Sequence, residues 1–373
     1  MFLNLNSQFC KRDVLEKECR YPIENKEEIF KKVDTFLYLM STADSGISRW
    51  IDEEDRTLWV EPFDRISYHL SKKKWNAPRI VGIMDEYPNL YSVKVMFDNN
   101  SDSTNLSLIG IYTLFLKYDS TNRSYKFKDY RTIHIEKNYD TIKVGNITYY
   151  SKNTNKLNKV KCTSFNEFNT QIARIFKTKP KEISYFHLKN TTELLNIFGW
   201  DIIYNMFYAP TGGFAGIGGK GTRFENQIYS GNNSERYDHE LIHLYYNELL
   251  YSDTSKSTLI IAEGIPTYFG GSSGLTYKEL KRNLKQYLDK TDSVKIENHY
   301  KDRSVNIQIN KTTNYIYSMG AFIAELFYIK NGYEGLKELA NLTNENFIKK
   351  IAEHFNVKEE DLDKYLRNAI KSL

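Results

Sequence analysis

The chain has 373 residues, enough for about two domains and a sizeable core, which excludes a peptide hormone or a bare linker. With 52 Lys+Arg against 47 Asp+Glu, the formal charge of +5 is small and interspersed and excludes a basic footprint for nucleic acid; 29 Tyr and 21 Phe exclude wholesale disorder. Three scattered cysteines, Cys10, Cys19 and Cys162, make neither a disulfide framework nor a thiolate cage, and no apolar run approaches the ~18 residues of a transmembrane helix.

Residues 1–23 read as an N-terminal segment. Met1–Leu5 is too short and uncharged for an intact secretory signal, and Asn6 to Cys10 is compatible with the remnant of a clipped export or lipoprotein signal, although no small residue precedes Cys10. From Glu24 to Ser41, Ile29, Val33, Phe36, Leu37 and Met40 recur at helical spacing and predict an amphipathic helix. Thr57 to Val60 reads as a strand, Phe63 to Ser71 as a helix, and four β-type segments follow at 78–85, 89–98, 106–118 and 124–136, separated by turn-formers such as Asp119-Ser120-Thr121-Asn122. Short links make neighbouring strands antiparallel, so 24–137 is expected to be an α+β unit with helices on one face of a curved sheet. In element order and length it resembles the NTF2-like cone.

After Lys137 the pattern predicts a strand at 141–150, a polar surface loop at 151–161, a helix at 164–176, a strand at 183–187 and a helix at 191–198. Gly216, Gly218 and Gly221 form a GxGxxG that cannot be a dinucleotide fingerprint, because Phe224 to Ser230 after it reads as a strand instead of the helix a pyrophosphate requires. The P-loop reading fails too, since Lys220 is followed by glycine. The glycines are expected to form a mobile or tightly turning lip.

His239-Glu240-Leu241-Ile242-His243 lies in a segment, 234–251, that reads as one helix. Histidines four apart share a helical face, so both imidazoles can reach one tetrahedral Zn²⁺, with Glu240 beside them. A catalytic zinc wants a third protein ligand. Glu263 supplies it, following His243 after nineteen intervening residues in the apolar run Leu259-Ile260-Ile261-Ala262-Glu263-Gly264, where metal coordination offsets the cost of a buried carboxylate.

Together these residues resemble the gluzincin metallopeptidases, the thermolysin-like zincins. The interval of nineteen matches the thermolysin-like spacing, while Glu263, Gly264 and Tyr268 look like the Glu-Gly-x-x-x-Tyr of the aminopeptidase-type, peptidase-MA-like branch. That branch usually has an interval one residue shorter and a small residue where this chain has Pro266, whose missing donor predicts a kink. Tyr317 and Gly320 match its Tyr-x-x-Gly.

The resemblance covers roughly 140–373 and implies a zincin-type mixed sheet with a mainly helical metallopeptidase domain at 138–373. It implies one Zn²⁺ per chain on His239, His243 and Glu263, Glu240 as general base and Tyr317 on the oxyanion. An edge strand at Phe224 to Ser230 would pair with a peptide or protein substrate through Glu225, Asn226, Gln227, Ile228 and Tyr229. Of the Gly-Ala-Met-Glu-Asn motif that anchors the substrate amine in aminopeptidases, only Glu225-Asn226 is present.

His69, His134, His187, His299 and His354 lack ligand-spaced neighbours and read as surface or internally satisfied residues, with His299 alone placed for an oxyanion role. Phe347 to Leu373 predicts two short amphipathic helices. The expected function is that of a zinc peptidase. The alternative is a peptide- or ligand-binding protein with a zinc site and little turnover, against which Glu240 argues, since binding alone needs no base.

Overall fold

The computed structural model describes residues 10–12, 25–42, 45–52, 55, 63–72, 75–99, 107–203, 210–218, 224–250, 258–291, 308–309 and 314–371. Strand β1 (Lys11–Arg12) precedes helix α1 (Lys26–Ser41), α2 (Phe63–Ser71), and the strands β2 (Arg79–Tyr87), β3 (Leu90–Asn99), β4 (Ser107–Asp119) and β5 (Ser124–Lys128). Then come α3 (Tyr130–Asn138), β6 (Asp140–Val144), β7 (Ile147–Ser151), α4 (Lys159–Ile175), β8 (Ile183–His187), α5 (Thr191–Ile197), β9 (Trp200–Ile203), β10 (Gly212–Ile217) and β11 (Asn226–Gly231). Among the described residues the named elements that follow are helices: α6 (Asp238–Tyr246), α7 (Leu259–Gly270), α8 (Tyr277–Leu288), α9 (Tyr315–Ala340, interrupted at Gly332), α10 (Phe347–Phe355) and α11 (Leu362–Lys371). The class is α+β, as its sequence predicts. No helix among the described residues is long and apolar enough to cross a membrane.

Two compact units make up the chain. The first combines the described residues up to Lys143 with 148–157 and 183–234; the second combines 144–147, 158–182 and 235–373. The chain therefore does not divide at 138. Strands β6 to β11, expected to belong with the metal helices, fall almost wholly in the first unit.

In that unit one sheet has the order β1-β2-β3-β4-β5, antiparallel apart from β1, with β9 also paired to β4. Alternation puts Val93, Val95 and Phe97 of β3 wholly inside. Ile29, Val33, Phe36 and Met40 bury the apolar stripe of α1, and Phe36 stacks on Phe127 at 3.8 Å between ring centres. Cys10 is 2% exposed within this core. Residues 6–9 and the expected strand at 57–60 lie outside the described residues.

The second sheet has the order β10-β11-β8-β7-β6. Here the local expectations need correcting. The β-rich segment 124–136 splits into β5 and α3, because the Asp129 carboxylate caps the helix, accepting from Arg131 N at 2.8 Å, and pairs with the buried Arg131 guanidinium. The strand at 141–150 is a hairpin, folded at Gly145 with φ 60. The segment 151–161 is not all loop, since α4 begins at Lys159 behind an Asn158 cap. Of the glycine-rich passage, Gly212 to Ile217 form β10, paired residue by residue with β11, while Gly219 and Gly221 lie outside the described residues.

Candidate metal centre

The centre lies in the second unit, on α6, α7 and α9. Ahead of α6, Arg236 forks onto Asp238 at 2.6 and 2.7 Å and reaches Ser164 Oγ of α4 at 3.1 Å, which fixes where the helix starts. The expected helix 234–251 is thus shorter, giving way to a 3₁₀ turn at Asn247–Leu249. One turn of α6 separates His239 from His243, and their Nε2 atoms stand 3.1 Å apart. From α7, Glu263 Oε2 lies 3.2 Å from His239 Nε2 and 3.5 Å from His243 Nε2. Ligand atoms at ~2.0–2.1 Å from a tetrahedral Zn²⁺ are ~3.3 Å from one another, so this triangle has the dimensions of three zinc ligands. Two imidazole lone pairs and a carboxylate so close repel one another unless a cation or a proton sits between them.

Tautomer geometry points the same way. His239 Nδ1 lies 2.8 Å from the Gly271 carbonyl oxygen, which only accepts, so Nδ1 carries the proton and Nε2 presents its lone pair to the triangle. Gly271 ends α7 at φ 71, ψ −171, open to glycine alone, and a Cβ at the preceding Gly270 would lie 2.6 Å from His239 Cα. The start of α6 therefore rests directly on the end of α7. That helix includes Pro266 and runs to Gly270, and Thr267 Oγ1 donates to the Glu263 carbonyl at 2.7 Å.

Glu240 is buried, with a carboxylate oxygen within 4.8 Å of a ring nitrogen of each histidine. The closer approach of Glu263 to both histidines makes it the third corner of the triangle, with Glu240 beside them. Burial pushes the Glu263 carboxyl up, but hydrogen bonds and charge from His239 and His243 outweigh it and hold the group far below the usual range. Burial pushes His243 down, and the hydrogen bond to Glu263 with the charges of Glu240 and Glu263 reverses this to a net rise.

Tyr317 of α9 reaches the centre. Its ring lies 5.9 Å from that of His239. Burial first, then the Glu263 charge, raises its ionisation well above the usual range. Tyr315 belongs elsewhere, fully buried within the influence of Asp363 and Arg367. Tyr268 is part of an aromatic cluster with Phe269, Tyr277 and Tyr328. Sequence reasoning missed Tyr237, whose hydroxyl is pushed up by burial and by the charges of Glu240 and Glu263. Its only signal was its position two residues before His239.

The substrate strand requires correction. Glu225, Asn226, Gln227, Ile228 and Tyr229 belong to the first unit, and β11 is no edge: Ile228 pairs with Ala215 of β10 on one side and Tyr185 of β8 on the other. Its backbone groups are committed to the sheet. Gln227 and Tyr229 are buried and accept from Arg131 at 3.2 and 3.1 Å, while the Glu225 carbonyl accepts from Gly218 N at 2.7 Å. Of the other histidines, His134, His187 and His354 are tied into the structure, the last stacked on Phe327 at 3.6 Å. The side chain of His69 and the whole of His299 lie outside the described residues.

Comparison with family models, curated proteins and solved structures finds no match for this chain.

Proposed function

We propose that this protein is a zinc-dependent peptidase, binding one Zn²⁺ through His239, His243 and Glu263. The observation that carries the reading is the triangle of ligand atoms at 3.1, 3.2 and 3.5 Å, with the His239 tautomer fixed by Gly271. Once bound, the ion supplies Lewis acidity to a peptide carbonyl and acidifies a water. Glu240 takes the proton as the water oxygen adds to the carbonyl carbon, and returns it to the leaving amine as the C–N bond breaks. The Tyr317 hydroxyl, beside the ligands, donates to the oxyanion of the tetrahedral intermediate. In the first unit, the β2-β3-β4-β5 meander with α1 on it is compatible with an NTF2-like sheet, although β1 and β9 add to that pattern.

Metal analysis of the pure protein, joined to a peptide-library cleavage assay with and without chelator, tests the reading. Stoichiometric zinc with chelator-sensitive cleavage is expected. Zinc without cleavage would favour a binding protein, and absence of zinc affinity would overturn the metal centre itself.

A further inference from the structure

Asn169 stands in the interior of α4 and is wholly buried, although asparagine favours caps and turns and must find partners once it leaves water. It finds them at the end of α6. The Tyr245 hydroxyl, on a side chain that is also wholly inside, donates to Asn169 Oδ1 at 2.5 Å and accepts from Lys181 N at 2.9 Å. Asn169 Nδ2 donates in turn to the Lys181 carbonyl oxygen at 2.9 Å. The circuit therefore runs from the Lys181 N–H through the phenol and the amide and closes on the Lys181 carbonyl. Lys181 adds its Nζ, 5.3 Å from the centre of the Tyr245 ring and 2.9 Å from Glu248 Oε1 in the turn after α6.

This clasp grips α6 on the side away from the histidines. With 3.6 residues per turn, Tyr245 lies ~200° around the helix from His243 and ~240° from His239. The helix has only nine residues, fewer than three turns, and its internal hydrogen bonds leave open how it is rotated against its neighbours. Apolar side chains in these places would pack in several rotations, whereas the circuit is satisfied in one. Rotation matters at the metal. A ring nitrogen ~6 Å from the helix axis moves ~1 Å for each ~10° of rotation, against a tolerance of ~0.2 Å in a metal–ligand distance. The other end of α6 is held from the same helix, by Arg236 on Ser164, five residues before Asn169 on α4.

We infer that Tyr245 and Asn169 are positioning residues of the metal centre, fixing the rotation of α6 so that His239 and His243 both meet Glu263. The inference rests on the zinc reading above and adds to it two residues that act through the helix.

The test is the zinc dissociation constant of the full chain, measured by competition with a chromophoric chelator where the metal-free protein is folded, so that global stability does not enter it. The visible absorption of the cobalt(II)-loaded protein is recorded beside it and reports the geometry of the ligands. Tyr245→Phe, which keeps the ring and removes the hydroxyl, is expected to raise Kd ~10-fold and to alter the cobalt spectrum. Asn169→Leu is expected to do the same, and Tyr245→Phe/Asn169→Leu no more than either, because both changes break one circuit. A tyrosine that only holds the fold together behaves differently: its loss lowers the urea midpoint and leaves Kd and the cobalt spectrum unchanged. That result overturns the inference, as do effects that multiply in the double variant. If Tyr245→Phe does not fold, Asn169→Leu decides, and if neither folds the circuit is a requirement of folding and the positioning role falls. A wild-type chain without zinc affinity would strike the metal reading, whereas a zinc-binding wild type with an indifferent Tyr245→Phe would strike only this inference.

Discussion

On the proposed reading, each group at the candidate metal centre has a separable chemical duty. His243 is one corner of a three-atom triangle, and two remaining ligands rarely hold zinc in water, so His243→Ala is expected to abolish stoichiometric zinc, read by elemental analysis. Retained zinc would show that the ligand set is wrong. Glu240→Gln leaves the triangle intact and removes the proton acceptor. It should keep the metal and lower turnover by a factor on the order of 10²–10⁴, and undiminished turnover would place the general base elsewhere. That His239, His243 and Glu263 come together was legible in the sequence, because the helical period puts the two histidines on one face and a carboxylate in an apolar run needs a partner. Gly271 and Tyr237 were not, since a carbonyl lent to His239 and a hydroxyl influenced by two carboxylates depend on how segments meet.

Elements succeed or fail in a sequence reading according to whether their determinants are local. The apolar stripe of α1 and the bounds of α2 and β8 follow from periodicity, whereas β5 and α3 share a β-rich composition and part only at Asp129, whose capping is completed by the buried Arg131. His134 sits on that unforeseen helix. Burial and the charge of Lys152, opposed by Glu193, push it down to about 4 from an ordinary 6.5. Between those values the unfolded chain takes up a proton that the folded one refuses, so this contribution to stability is complete above pH 6.5 and is lost as pH falls toward 4. Its half-buried position limits the loss to on the order of 1–2 kcal/mol. Urea denaturation of wild type against His134→Gln between pH 4 and 7 should show a shallower pH dependence in the variant, and parallel curves would refute it. The end of α7 carries a second prediction. At φ 71, ψ −171, with the Leu275 carbonyl where a Cβ would be, Gly271→Ala should cost about 1–3 kcal/mol in urea denaturation and weaken zinc binding by displacing the His239 acceptor. A change in stability below about 0.5 kcal/mol would show that the strain is absent.

At the scale of the molecule, a metal that ties α6 to α7 stabilises only the folded chain. Zinc at 100 times its Kd should therefore add about 2.7 kcal/mol, seen calorimetrically as a raised Tm that chelator reverses, and indifference to saturating zinc would contradict the centre. The division of the chain was the least legible feature. Composition changes near Lys137, but strands 148–151, 183–187 and 200–231 group with the first unit while 158–182 groups with the metal helices, and no local signal marks a segment that leaves a unit and returns. That itinerary bears on how the protein is made. The β4 positions Gly110 to Tyr112 pair with Trp200 to Ile203, some ninety residues downstream. At ~5–20 residues per second of synthesis, a stretch of β4 leaves the ribosome on the order of ten seconds before its partner. During that interval the nascent chain displays an open, apolar strand edge, the kind of surface to which holding chaperones bind and from which aggregation starts.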